Sequence, residues 1–233
     1  MISFVFAQLI VLFILLIINY VRRVKKLCKL QLTTMTDIYS TLKTGDILFT
    51  RFDYFDAYLI QYLIRNVIYS HVSDLYTHVG MVVKIENTLY IYSAYQDVKY
   101  DWITNTYKTG SVLILLRDYI MTYNGNIVLF RLLNSVGTTG LYDVITENKN
   151  KIFDNNMYRI INTILDITKN KKHTDKIICT QAVGDALIGV GLMSPLTYTP
   201  NLSVGDITSF VKTSEKYGAP VMVVNPYVEA KCV

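Results

Sequence analysis

The chain has only three cysteines, Cys28, Cys179 and Cys232, and none stands in a CxxC pair. So sparse and odd a set excludes a disulfide framework and a thiolate zinc site, and it agrees with a reducing compartment for the main domain. Histidine is equally scarce, at three residues. No carboxylate pair, phosphate-binding glycine loop or metal-ligand cluster is present, so no metal and no cofactor is expected. Acidic side chains are missing before Asp37, while Arg22, Arg23, Lys25, Lys26 and Lys29 equal the whole formal excess of +5. The remainder is electrically balanced, which argues against a nucleic-acid partner, because a nucleic-acid-binding domain carries its basic patch as a surplus.

What the front of the chain does have is a long apolar run. Ile2 to Val21 reads ISFVFAQLIVLFILLIINYV, with no charged side chain and only Gln8 and Asn19 as strongly polar interruptions. At about 1.5 Å per helical residue, some ~20 such residues span a hydrocarbon core of roughly 30 Å. A cleavable secretory signal competes with this reading, but the basic n-region and small-residue cleavage site are absent. A buried helix with a solvated basic end is the other alternative. The basic cluster lies only on the C-terminal flank, which by the positive-inside tendency predicts a single-pass anchor with a cytosolic main domain. The same cations suit anionic headgroups, making membrane lipids an expected partner. Cys28 beside them is a palmitoylation candidate, whereas Cys232 does not make a prenylation box.

The expected organisation is an anchor over residues 1–21, a basic juxtamembrane tether over 22–41 and one domain over 42–233. The Gly45-Asp46 turn feeds a strand through Thr50, with the Asp46 side chain bonding its own backbone. Residues 53 to 68 carry apolar positions near helical period. His78 to Ile85 and Leu89 to Tyr95 form a hairpin across Glu86-Asn87-Thr88. Leu115 to Met121 is helix-like, and Ile127 to Leu133 is a strand. Helices are expected near 141–151 and 157–168, a further one from Cys179 to about Leu192, a short one near 207–215, and a last strand over 219–224. Strands with helices interposed make the fold class α+β.

Two of these elements carry chemistry. Cys179 opens an apolar helical stretch, and His78 opens a strand. Unpaired N–H groups and the macrodipole at a helix N-terminus favour a thiolate, and a nearby imidazole supplies a base. The bland reading of Cys179 alone is an inert buried thiol, and that of His78 a strand-entrance histidine bonded to a carbonyl. His71 sits in the loop before the strand, and His173 in a solvated polar break. The tyrosines, among them Tyr90, Tyr92 and Tyr95, read mostly as packing, although one near the site would serve an acyl or amide group.

The order Gly45-Asp46-Ile47-Leu48, His78-Val79-Gly80-Met81-Val82-Val83, Leu89-Tyr90-Ile91-Tyr92-Ser93-Ala94, Cys179-Thr180-Gln181-Ala182-Val183, then Leu196 to Ile207 with Pro200, resembles the YaeF/YiiX-type permuted papain-like amidases. These belong to the circularly permuted branch of the NlpC-type peptidase superfamily, alongside the lecithin:retinol acyltransferase-like proteins. The resemblance covers about Leu42 to Val224. It implies an antiparallel sheet packed on a Cys-bearing helix, with Cys179 as nucleophile, His78 as base and the backbone N–H of Cys179 as an oxyanion donor. Ser93 falls where the family commonly has Glu orienting the imidazole, with Gln96 as the alternative. The segment from Gly137 to Lys176 has no family counterpart.

Together these expectations describe a membrane-anchored thiol hydrolase or acyltransferase acting on peptide, acyl-amide or lipid substrates through amide or ester bonds. The alternative is a catalytically inactive relative serving as a membrane-anchored binding or assembly protein.

Overall fold

The apolar runs of the sequence become the central strands of one sheet. The structure, a computed structural model, describes Val11, Ile14, Ile18 and residues 29–51, 76–123, 125–156 and 175–224. Nine strands are described: β1 Gln31–Thr34, β2 Ile47–Arg51, β3 His78–Ile85, β4 Thr88–Asp101, β5 Thr106–Leu115, β6 Asn126–Phe130, β7 Ile152–Phe153, β8 Lys176–Ile177 and β9 Val221–Val224. Helices α1 Leu116–Thr122, α2 Thr139–Asn148, α3 Cys179–Gly189 and α4 Val204–Thr213 are interposed. Seven strands form a sheet in the order β1-β9-β6-β2-β3-β4-β5, and β7 pairs with β8 apart from it. Every neighbouring pair in the large sheet is antiparallel except β1 with β9. The chain is therefore α+β with a mostly antiparallel sheet.

Both faces of the central part of this sheet are covered, so β2, β3 and β6 are mostly apolar. Because successive side chains point to opposite faces, Ile47, Phe49, Val79, Met81, Tyr92 and Ala94 lie on one side. There they meet Ala182, Val183, Ala186 and Leu187 of α3, and Ile207 and Val211 of α4. Leu48, Val82, Ile91, Tyr95, Ile127 and Leu129 lie on the other side, under Leu116, Tyr119 and Ile120 of α1. Helix α4 starts where Ser203 and Asp206 cap it reciprocally: Ser203 Oγ accepts from the Asp206 N–H, and Asp206 accepts from the Ser203 N–H at 2.7 Å. This capping box satisfies two donors that the helix leaves orphaned.

The Gly45-Asp46 turn does more than bond itself. Gly45 has φ +95, a conformation open to glycine without Cβ strain. The fully buried Asp46 accepts from the Lys43 N–H at 3.0 Å, as expected, and also from the Leu132 N–H at 2.7 Å. It thereby ties the entrance of β2 to the chain leaving β6.

The two sheet edges are protected differently. Within the segment expected as tether, Gln31–Thr34 forms an edge strand on β9. Its polar composition, which reads as a linker, suits a strand whose Gln31, Leu32 and Thr34 are exposed. At the far edge the register of β4 on β5 shifts between Tyr95 and Lys99, and the hairpin beyond curls back. Its Trp102 N–H donates to the Leu113 carbonyl at 3.0 Å, and the Leu113 N–H donates to Asp101 Oδ1 at 2.8 Å. The backbone groups of Leu113 facing away from β4 are thus satisfied within the chain.

Among the described residues no helix is long and apolar enough to cross a membrane. The expected anchor lies outside them except for Val11, Ile14 and Ile18, which are helical and exposed. The helices expected over 53–68 and 157–168, and Cys28, His71, His173 and Cys232, also fall outside the described residues.

Candidate functional site

The entrance of β3 and the start of α3 meet at one end of the sheet. His78 pairs in register with Thr50 of β2, and its ring lies 4.5 Å from that of Tyr95 on β4. Gly80, two residues on and on the same face, permits this packing: a Cβ there would stand 2.6 Å from Ile91 Cδ1. Any side chain would push Ile91 aside, and with it the β3–β4 face that carries His78.

Helix α3 begins after Ile178, which is extended and supplies no side-chain cap. The first-turn N–H groups are therefore available to the Cys179 side chain. The amides of Val79, Thr180 and Cys179 itself face the sulfur and favour its ionised form. The thiol thus sits against the peptide immediately following His78. Cys179 is partly exposed, yet the protein packed around its sulfur pushes the thiol up to about 11, against the expectation of a lowered value. Desolvation outweighs the helix terminus here.

His78 is buried at 7% exposure, and burial pulls its pKa down to about 4. Asp97 in the β4 irregularity raises it and Lys99 lowers it, while the two form an ion pair with each other at 3.4 Å. The imidazole Nε2 is buried and has no hydrogen-bond partner among the described residues. At neutral pH the resting site therefore holds a neutral thiol and a neutral imidazole whose Nε2 is unengaged.

Ser93 is fully buried, and its hydroxyl donates to the Val79 carbonyl at 2.7 Å. Its one proton is spent on the backbone next to His78. Gln96 is exposed in the β4 irregularity. Sequence reasoning counted Tyr95 as packing and did not single out Thr50, Tyr119 or Asp97. Tyr119 donates from its hydroxyl to Thr50 Oγ1 at 3.2 Å. The Tyr95 hydroxyl lies against that of Tyr119 and within electrostatic reach of Cys179. The available signal was period two: Tyr95 follows Ser93 by two positions on one strand, and so shares its face.

On the α3 side of the sheet, Tyr92 heads a separate buried network. Its hydroxyl receives bonds from Ser111 Oγ and Asn148 Nδ2, each at 3.1 Å, and Asn148 Oδ1 accepts from Lys151 Nζ at 2.6 Å. The first two contacts join structural elements, and the network ties α2 to the sheet.

No family model matches the chain, and no curated protein matches it. Five solved chains match. One is the crystal structure of metalloprotein yiiX from Escherichia coli O157:H7, similar at 17% identity and TM-score 0.42 over 65% of this chain and 67% of that chain.

Proposed function

We propose that the chain is a membrane-anchored thiol hydrolase or acyltransferase of the permuted papain-like type, with Cys179 as nucleophile and His78 as its base. One observation carries this reading: the Cys179 sulfur rests against the amide of Val79, one residue from a buried histidine whose Nε2 has no partner among the described residues. A neutral buried thiol beside a neutral imidazole calls for general-base attack rather than a preformed ion pair. As the sulfur–carbon bond forms, the thiol proton passes to His78 Nε2. The imidazolium returns it to the leaving amine or alcohol. Water or another acceptor then attacks the acyl-thioester, gives its proton to His78 and frees the thiol. Ser93 acts as a positioning residue through the Val79 carbonyl.

The anchor over residues 1–21 holds this chemistry beside a bilayer, with the domain on the cytosolic side, so acyl groups of lipids are the substrate class it fits best. Turnover of acyl-amide and acyl-ester substrates by the full chain in vesicles tests the reading. Release of product that Cys179→Ser abolishes supports it, and equal release by that variant contradicts it. A second reading, a catalytically silent membrane-anchored binding or assembly protein, is favoured by the raised thiol and the neutral Ser93. It predicts no turnover of either substrate type.

A further inference from the structure

We propose that the curled end of the β4–β5 hairpin, residues 96–109, is a second membrane contact of this chain, its aromatic face settling among the headgroups of an uncharged bilayer. This rests on the reading of residues 1–21 as an anchor and adds to it a surface of the folded domain. The hairpin is built inside out for a surface in water. Successive side chains point to opposite faces and directly opposed ones share a face, so Lys99 and Lys108 lie on one side with Asp101, and Tyr100 and Tyr107 on the other. The charged side is turned to the protein: Asp101 is fully buried, accepts from the Leu113 N–H and pairs with Lys108, which also donates to the Lys149 carbonyl. The aromatic side is left to solvent, with Tyr107 75% exposed, Trp102 41% and Val98 beside them 61%.

The exposed rings hold one another in place. Tyr100 meets Trp102 edge-on at 5.4 Å and Tyr107 at 5.2 Å, and Trp102 meets Tyr90 at 6.2 Å. The surface is ordered before it meets a partner, so docking costs little side-chain entropy. The chemistry of that surface points to a bilayer. Tryptophan and tyrosine combine an apolar body with a polar tip and favour the membrane–water boundary. Asp97 pairs with Lys99 at 3.4 Å and Asp101 with Lys108 at 2.9 Å, so the hairpin carries no net charge to attract a nucleic acid or a charged protein.

The backbone of the tip suits a water-poor zone. The N–H groups of Ile103 and Thr104 donate to the Asp101 carboxylate, and that of Trp102 to the Leu113 carbonyl, so these donors need no water. The anchor leaves the hairpin free to reach the same bilayer: at about 3.5 Å per residue the stretch from Val21 to Gln31 extends over about 35 Å, more than the roughly 29 Å across the sheet from β1 to β5. The base of the hairpin carries Asp97 and Lys99, whose charges reach His78, so docking by this edge brings the candidate site to the membrane surface.

Trp102 is the only tryptophan of the chain, so its fluorescence reports on the hairpin directly. The full chain is reconstituted into phosphatidylcholine vesicles and isolated by flotation. Quenching of Trp102 is then compared between iodide, present on both sides of the membrane, and lipid brominated high on its acyl chain. Blue-shifted emission, quenching by the brominated lipid and shielding from iodide are expected. Val98→Asp and Tyr107→Asp each place a charge at an exposed position of the outward face, and each is expected to float as the parent does while losing most of the lipid quenching. A folding defect in one variant leaves the other to decide, and unchanged lipid quenching in the folded variants overturns the proposal. A floated parent chain whose Trp102 is quenched by iodide but not by lipid overturns it and leaves the anchor reading standing. Shielding from both quenchers does the same, and marks a second copy of the chain as the cover. A parent chain that does not float overturns the anchor reading itself, and the proposal with it.

Discussion

Tyr95 packs its ring 4.5 Å from that of His78, inclined at 40°, across the β3–β4 pair. This contact buries the imidazole and closes off one side of the site. It also explains why His78 holds its neutral form: burial, more than the nearby Asp97, governs its titration.

That burial links His78 to stability. Its folded pKa of about 4 lies below the ordinary 6.5. Between those values the unfolded chain binds a proton that the folded chain refuses, so stability falls as pH drops from 6.5 toward 4. At about 1.4 kcal/mol per pH unit, the total is on the order of 3 kcal/mol. Denaturant titrations at pH 7 and pH 4 are expected to show a smaller acid loss in His78→Gln than in the parent. An equal loss in both contradicts the buried neutral imidazole.

The same values shape reactivity. Alkylation of Cys179 is expected to be level across neutral pH, to fall near pH 4 as His78 takes a proton, and to climb toward pH 11 as the thiol ionises. Rates followed by iodoacetamide labelling check this. A step centred near pH 6.5 contradicts it.

Gly80 guards the His78 face by having no side chain. Gly80→Ala places a Cβ against Ile91 Cδ1 at 2.6 Å and Cγ1 at 2.7 Å, and is expected to cost about 1 to 3 kcal/mol. Ile91→Ala removes both atoms. A double-mutant cycle by chemical denaturation should therefore show the pair losing less than the sum of the single variants.

Asp101 holds the curled hairpin and stands apart from the site. Burial alone would raise its pKa, but the Leu113 N–H, Thr104 and Lys108 outweigh that and hold it below its ordinary value. The stability it supplies is present above pH 3.8 and lost as pH falls through the lower folded value. Asp101→Ala leaves the Leu113 N–H without its acceptor and the Lys108 ammonium, 2.9 Å away in the parent, with the Lys149 carbonyl but no counter-charge, and is expected to cost about 3 kcal/mol. A lowered thermal midpoint with unchanged Cys179 labelling is the outcome to look for.

The α+β class, the β3–β4 hairpin and the helix opening at Cys179 were legible because each rests on local pattern: apolar runs, a short turn, which is Glu86-Asn87 with Thr88 already paired to Ile85, and a periodic stretch. The edge strand at Gln31–Thr34 was not legible, since its pairing with Val221–Val224 joins distant parts of the chain and three of its four side chains are polar. Asp46 was read as a local turn bond, and its partner Leu132 N–H lay beyond any local pattern. At the site, Cys179 and His78 announced themselves by chemistry and position. Tyr95 did not, because a tyrosine on an apolar strand looks like packing until its ring is found against that of His78. The thiol moved opposite to expectation for a related reason: helix-terminus chemistry is written in the local sequence, whereas desolvation comes from distant elements packing around the sulfur.

The central claim is that His78 activates Cys179, and site-resolved labelling of the intact chain by an electrophilic thiol probe tests it most directly. The account predicts that Cys179 reacts faster than Cys28 and Cys232, and that His78→Ala slows labelling at Cys179 by about 100-fold while the other two cysteines are unaffected. Equal labelling of all three cysteines, or a Cys179 rate unchanged in His78→Ala, would contradict it.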